Sequence, residues 1–230
     1  MDSSPFSSLQ ARRSTLALSA ERYERRWLTR VALGVNLLYS RVYHQVRVVG
    51  RCGVPRNGAA ILASNHISGL DPLLLQSACP RLIRWMMARE YYDVPGLRKQ
   101  LDAIGAIPVE RSGRDLAATR AALRALADGC VLGVFPEGRI ATRNEVLPFQ
   151  MGIGLLAVKS GVAVYTAHVR GSQYGKEMTE ALSEPQSARL AFGPAVDFGD
   201  MSRSGKPSAV YEEATERIET AVKRLAVASG

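Results

Sequence analysis

Short apolar segments alternate with helical stretches from Val46 onward, and this alternation limits the possible folds more than any other feature of the chain. Strands that alternate with helices are typical of an α/β domain. We therefore predict that residues 45–230 form one domain, a central, mostly parallel or mixed sheet of about seven strands flanked by helices. The predicted strands lie near 46–49, 59–64, 82–88, 104–109, 131–135, 162–169 and 188–192. The predicted helices cover 72–78, 95–102, 114–127, 150–159 and 208–226, with loops at 171–187 and 197–207.

Residues 1–44 have a different character and predict a separate N-terminal element. The Ser-rich residues 1–15 predict a frayed tail. Beyond them, apolar residues recur every three or four positions and give a helix with one apolar face: Tyr23, Trp27, Val31, Val35, Leu38 and Val42. Arginines flank this face, so the helix either lies in a membrane interface or packs on its own domain. Gly34 and Asn36 leave open whether it is one helix or a helical pair.

The net charge of +9 predicts an acidic partner. Nucleic acid, anionic lipid, a phosphorylated substrate and an acidic carrier protein all meet that requirement. The arginines of residues 1–50 are interleaved with apolar residues and do not form a stripe, which argues against nucleic acid. The longest uncharged stretch there, Val31 to Ser40, is far shorter than the roughly 20 residues of a bilayer span. We therefore expect no transmembrane helix in this region.

A compact turn carries the most informative motif. An apolar strand ends at Ser64, and His66 and Asp71 then lie on either side of a turn that Gly69 permits. We expect Asp71 to cap the next helix, with Pro72 at its first position. A carboxylate beside an imidazole fixes the tautomer of the ring and makes it a general base near neutral pH. Alternatively, Asp71 is only a helix cap and His66 only a hydrogen-bonded structural residue.

Two further segments end at predicted strand exits. One is Gly105–Arg111, and the other is Val131–Arg139, which ends in a Pro-Glu-Gly turn. Ligands of open α/β sheets gather where strands end, so His66, Arg111 and Glu137 could share one crevice. There Arg111 would bind a phosphate and Glu137 a polyol hydroxyl. Taken separately, the two residues are equally compatible with a solvated loop arginine and a turn glutamate.

Three blocks together resemble the glycerolipid acyltransferase superfamily, which includes bacterial lysophosphatidic acid acyltransferases. They are Asn65–Asp71, with four residues between His66 and Asp71, then Gly105–Arg111 and Phe135–Gly138. The resemblance covers Val46 to Gly171. It implies a 1-acyl-sn-glycerol-3-phosphate acyltransferase that takes an acyl group from acyl-CoA or acyl carrier protein. It also implies an N-terminal helical pair that docks on a bilayer with anionic lipid, so we expect a peripheral protein on the cytoplasmic face of a membrane.

The resemblance implies that His66 removes a proton from the acceptor hydroxyl and that Asp71 orients His66, without an acyl-enzyme. The substrate-binding residues that it implies are Asn65, Arg111, Glu137, Gly138 and Arg139. It implies no metal ion and no redox cofactor. The three scattered cysteines lack metal-ligand spacing and suit a reducing compartment.

Three departures from the family pattern bear on the acceptor. Arg139 stands where threonine is common, and Gln150 stands where a basic residue is common. The block near Gly161–Thr166 lacks the usual proline. Two alternatives therefore remain: an acyltransferase for another lysolipid or a non-phosphate acceptor, and a non-catalytic membrane-binding module.

Overall fold

The computed structural model describes residues 27–110, 115–201 and 206–228. Within them, seven strands form one mixed sheet in the order β1-β7-β6-β2-β5-β3-β4. Neighbouring strands run parallel except for β6 and β7, which are antiparallel. The α/β fold predicted from the alternation of segments is confirmed. The strands are β1 (Arg47–Val49), β2 (Ala60–Ser64), β3 (Ile83–Ala88), β4 (Ile107–Val109), β5 (Val131–Val134), β6 (Val164–Arg170) and β7 (Arg189–Ala195).

Helices cover both faces of the sheet. Apolar side chains of α2 form one core cluster with one face, and those of α4, α5 and α7 form a second cluster with the other face. The helices are α1 (Trp27–Val42), α2 (Asp71–Ala78), α3 (Leu97–Ile104), α4 (Leu116–Ala127), α5 (Gly152–Ser160), α6 (Met178–Ser183) and α7 (Pro207–Ala228), and a 3₁₀ helix covers Arg89–Asp93.

The boundaries of α4 follow from local sequence chemistry. Its N-cap Asp115 accepts a hydrogen bond from the Ala118 backbone N–H at 2.8 Å. Alanine and leucine favour the helix between its ends. It stops at Asp128-Gly129, where Gly129 adopts a φ of +80° that is costly for other residues. The helix therefore ends at the stop signal that the sequence predicts.

The structure differs from the predicted loop over residues 171–187, because α6 lies inside it. This helix has six residues, and Ala181 is its one buried residue. A single buried alanine produces no recurring apolar spacing, which explains why the segment resembled a loop. The structure also shows α1 as one continuous helix through Gly34 and Asn36. The predicted helical residues 21–26 lie outside the described part of the chain.

Helix α1 packs on the domain along one side and leaves an apolar face in solvent. Its Asn36 side chain donates a hydrogen bond to the Leu73 carbonyl at 2.9 Å, and Tyr39 packs against the core. Five apolar side chains of α1 are more than half exposed: Trp27, Val31, Val35, Leu38 and Val42. No helix among the described residues is both long and apolar enough to cross a membrane.

Arg81 connects the loops at the end of the sheet where β2 and β5 begin. Its side chain is 7% exposed and donates hydrogen bonds to the carbonyls of Pro55, Gly58 and Gly129 at 3.3, 2.5 and 2.8 Å. A guanidinium suits this role because its planar fork donates in several directions at once. The loops before β2 and β5 are thereby fixed, and with them the two central strands.

Candidate active site

The turn between β2 and α2 brings His66 and Asp71 together. The Nδ1 atom of His66 lies 3.0 Å from Oδ2 of Asp71, whose side chain is fully buried. The same oxygen accepts hydrogen bonds from the backbone N–H groups of Ile67 and Ser68 at 2.8 and 2.9 Å. Asp71 is the first residue of α2, and Leu70 occupies the N-cap position without a side-chain hydrogen bond. The predicted capping role is therefore wrong, because the Asp71 carboxylate bonds backbone N–H groups of the turn that precedes α2 and not those of the first turn of the helix.

This arrangement fixes the protonation pattern of the imidazole. Because Oδ2 of Asp71 is an acceptor, Nδ1 of the neutral His66 ring carries the proton. Nε2 is then the basic nitrogen, and His66 lines the neighbouring cavity with its side chain 16% exposed. Such a pair can remove a proton from a hydroxyl that enters the cavity.

Two aromatic rings support His66 from the sheet side. The imidazole stacks on Phe135 with ring centroids 4.0 Å apart and planes 13° apart. Phe135 in turn stacks on Trp85 at 4.8 Å and 6°. Gly133 makes this possible, because a Cβ atom there would lie 2.4 Å from the Trp85 indole. A glycine inside β5 therefore helps to position the candidate base.

A cavity of about 650 Å³ opens beside His66. This volume is within the range of roughly 300–1,000 Å³ that is usual for ligand sites. Most of its wall is apolar, and the polar side chains Glu110, Arg139 and Gln150 also line it. An apolar wall with a few polar groups suits a ligand that has a hydrocarbon chain and a polar head. Apolar lining residues include Met86, Met87, Val109, Ile153, Leu155 and Leu156.

Glu137 contacts the turn that carries His66 and Asp71, and it is not among the residues that line this cavity. Its side chain is buried, and Oε1 accepts a hydrogen bond from the His66 backbone N–H at 3.3 Å. Oε2 is buried without a hydrogen-bond partner among the described residues. Burial, reinforced by the nearby charge of Asp71, raises the pKa of Glu137 to about 8. The structure thus gives Glu137 a supporting position, and its predicted contact with a polyol stays a prediction.

Gly138 and Arg139, which the resemblance predicts to bind substrate, both line the cavity. Gly138 has a φ of +70°, and a Cβ atom there would lie 2.2 Å from the Gln150 amide. Only glycine therefore fits this turn without moving Gln150. Arg139 is exposed, so its guanidinium is accessible to a ligand at the cavity mouth.

Asn65 faces the sheet and has a different role from the predicted substrate contact. Its side chain is 1% exposed. Its amide donates to the Val169 carbonyl at 2.9 Å and accepts from the Val169 N–H at 2.7 Å. With both ends of its amide bound to β6, Asn65 prolongs the pairing of β2 with β6 and holds the start of the turn. Its position before His66 explains why the sequence suggested a ligand contact.

Arg111, the predicted phosphate ligand, lies outside the described residues. The nearest described residues on either side, Glu110 and Asp115, both line the cavity. Arg89 forms an exposed ion pair with Glu110.

Sequence reasoning also missed Ser172. Its hydroxyl donates a hydrogen bond to Oδ1 of Asp71 at 3.0 Å, and both side chains are buried. The two residues are 101 positions apart in the chain. No local pattern links them, so only the fold reveals the contact.

Comparison with known proteins identifies the family of the chain. Residues 45–170, more than half of the chain, match the family model described as Acyltransferase. The chain belongs to the acyltransferase family. It is therefore an enzyme of acyl transfer. The matched range includes both His66 and Asp71.

Two curated relatives of the acyltransferase are named 1-acyl-sn-glycerol-3-phosphate acyltransferase. The protein of Bacillus subtilis is 23% identical over 184 residues, covering 78% of this chain and 89% of the relative. That of Borreliella burgdorferi is 28% identical over 183 residues, covering 76% of this chain and 72% of the relative.

The fold also matches a solved structure. The crystal structure of the 1-acyl-sn-glycerophosphate acyltransferase PlsC from Thermotoga maritima aligns with a TM-score of 0.63 at 20% identity, covering 94% of each chain. This likeness confirms the fold of the acyltransferase.

Proposed function

We propose that this acyltransferase transfers a fatty acyl group from a thioester to 1-acyl-sn-glycerol-3-phosphate and forms phosphatidic acid. The observation that carries the proposal is the His66–Asp71 pair at the edge of a largely apolar cavity. The names of the two curated relatives support the choice of acceptor.

The chemistry begins with the acceptor hydroxyl. Nε2 of His66 takes the hydroxyl proton as the oxygen attacks the thioester carbonyl carbon. Asp71 holds the ring in position and stabilises the imidazolium that forms. When the tetrahedral intermediate collapses, the C–S bond breaks and the thiolate receives the proton from His66. The products are the new ester and the free thiol of CoA or the carrier protein.

No step of this sequence requires a metal ion, a redox cofactor or an acyl-enzyme. The nucleophile is the substrate alcohol, which is why the protein needs a base but no nucleophilic serine. The apolar wall of the cavity suits the fatty acyl chain, because burial of each methylene contributes about 0.8 kcal/mol.

An arginine at the cavity suits the phosphate of the acceptor. Arg139 lines the cavity and is exposed. We assign Arg111 the same task, and the position of its neighbours Glu110 and Asp115 on the cavity wall supports this. Arginine binds phosphate in a fork geometry, so two such residues would favour a phosphate-bearing acceptor over a neutral one.

The exposed apolar face of α1 supports work at a membrane surface. Trp27, Leu38 and Val42 are each about two-thirds exposed, an arrangement that water penalises and a bilayer interface favours. We place the enzyme on the cytoplasmic face, where acyl thioesters are available. Its cysteines are free thiols, which suits that compartment.

An acceptor screen with purified enzyme tests the proposal. Oleoyl-CoA and oleoyl-carrier protein are supplied in parallel with lysophosphatidic acid, lysophosphatidylethanolamine, lysophosphatidylcholine and monoacylglycerol. We expect turnover of lysophosphatidic acid above the others. We also expect His66→Ala to lower kcat by about 10²–10⁴-fold or more, because it removes the general base.

Two results would reject parts of the proposal. Preference for a neutral or zwitterionic lysolipid would replace the assigned acceptor while retaining acyl transfer. Full activity of a correctly folded His66→Ala enzyme, with folding checked by circular dichroism, would remove the assigned base.

A further inference from the structure

We propose that Ser172 is a positioning residue that holds the Asp71 carboxylate in the orientation that His66 requires. The inference rests on the proposed function, because it assigns Ser172 a part in the same proton transfer. Ser172 acts through Asp71 and does not contact the substrate.

The hydrogen bonds of Asp71 show why a second anchor matters. Oδ2 accepts three hydrogen bonds, from Nδ1 of His66 and from the backbone N–H groups of Ile67 and Ser68. Among the described residues, the bond that Oδ1 accepts is from Oγ of Ser172, at 3.0 Å. Contacts at one oxygen alone allow a carboxylate to rotate about that atom, whereas a contact at each oxygen fixes its plane.

The loop after β6 is bound to the catalytic turn as well. The N–H of Gly175 donates to the Ile67 carbonyl at 2.9 Å, and the N–H of Gly69 donates to the Lys176 carbonyl at 2.8 Å. A Cβ atom at position 69 would lie 2.3 Å from the backbone nitrogen of Met178, so glycine is needed for this approach. Loop and turn therefore form one unit, and Ser172 is 3% exposed within it.

The charge of the carboxylate gives Ser172 an electrostatic effect in addition to a geometric one. A hydrogen bond donated to a carboxylate stabilises its ionised form and weakens its attraction for a neighbouring cation. Without the Ser172 hydroxyl, Asp71 would stabilise the His66 imidazolium more strongly. The base would then remain protonated up to a higher pH, and the acid limb of the pH–activity profile would move upward.

The test compares Ser172→Ala with the wild type through the full pH profile of kcat/KM for acyl transfer to lysophosphatidic acid. We expect kcat to fall by about ten- to a hundred-fold, since a small misplacement of a catalytic group costs rates of this order. We expect KM to change by less than kcat, and the midpoint of the acid limb to rise by a few tenths of a pH unit or more. Ser172→Thr, which keeps the hydroxyl, should return the midpoint to the wild-type value.

Ser77→Ala is the matched control. Ser77 lies in the last turn of the same helix as Asp71, and its hydroxyl donates to the Leu74 carbonyl at 2.6 Å. The substitution removes a partly buried serine hydroxyl from α2 without touching the Asp71 carboxylate. We expect both kcat and the acid limb to match the wild type.

An acid limb that does not move in Ser172→Ala, or one that moves equally in Ser77→Ala, overturns the proposal. If Ser172→Ala does not fold, Ser172→Cys carries the same test, because the thiol fills the volume but donates weakly. Failure of the proposed function would appear differently, as no turnover by the wild-type enzyme or no effect of His66→Ala.

Discussion

Replacing Glu137 by glutamine should make the enzyme more stable relative to the wild type as the pH rises. The buried carboxyl of Glu137 has a pKa of about 8, against an ordinary value of 4.5, mainly because burial penalises its charged form. The folded state therefore holds this proton over a range in which the unfolded chain has released it. Its pKa is raised, so the associated stability is fully present below about pH 4.5 and declines toward pH 8.

The size of the effect follows from the two pKa values. Each pH unit in this window changes the free energy of unfolding by about 1.4 kcal/mol. Between pH 5 and pH 7.5 the wild type should therefore lose about 3 kcal/mol through Glu137. Glutamine has nearly the same shape and no charge, so Glu137→Gln should not show this loss.

Urea unfolding of both proteins at pH 5 and pH 7.5 measures the difference directly. The quantity of interest is the change with pH in the free-energy difference between variant and wild type, from which pH-independent effects of the substitution cancel. Glu212→Gln, at an exposed position on α7, is the control and should give a pH-independent difference. The reasoning would be refuted if the difference in unfolding free energy between Glu137→Gln and the wild type did not change with pH, or if the variant became less stable relative to the wild type as the pH rises.

Three further predictions concern packing and surface. Gly133→Ala should destabilise the fold by about 1–3 kcal/mol and lower kcat, because the new methyl group would lie 2.4 Å from the Trp85 indole. Thermal unfolding and initial rates measure these two effects, and an unchanged enzyme would contradict the steric argument. Arg81→Lys should cost about 2–4 kcal/mol in urea unfolding, because an ammonium cannot reach three separate carbonyls, and a loss below 0.5 kcal/mol would contradict this. Leu38→Ser combined with Val42→Ser should weaken flotation with anionic vesicles without changing the unfolding midpoint, because both side chains are exposed. Undiminished flotation would argue against the α1 face as a membrane contact.

The sequence predicted the sheet and the contact between His66 and Asp71 well, because both depend on local signals. Alternating apolar segments define strands, and the His66–Asp71 pair closes within a single turn. Burial and direction of side chains were harder to predict. Asn65 and Glu137 both flank strand ends, yet one pairs with β6 and the other is enclosed behind His66. Chain spacing indicates which strand exit a residue occupies, but not which neighbouring element it meets.

Contacts between distant segments could not be predicted in the same way. Ser172 meets Asp71 across 101 residues, and the aromatic support of His66 combines side chains from β3 with those following β5. Such contacts depend on the order of strands in the sheet, which no local pattern specifies. The short helix α6 was missed for a related reason: its one buried residue, Ala181, packs against distant parts of the chain, and no local pattern predicts that burial.

The pairing of Asn65 with Val169 has a consequence for synthesis of the protein on the ribosome. The chain leaves the ribosome from its N-terminus, so β2 and the catalytic turn emerge about a hundred residues before the strand that receives the Asn65 amide. Until β6 has emerged and docked, one edge of β2 has no strand partner, and Asp71 lacks its bond from Ser172. A nascent chain therefore completes the hydrogen bonding around Asp71 only after three-quarters of the polypeptide has been made.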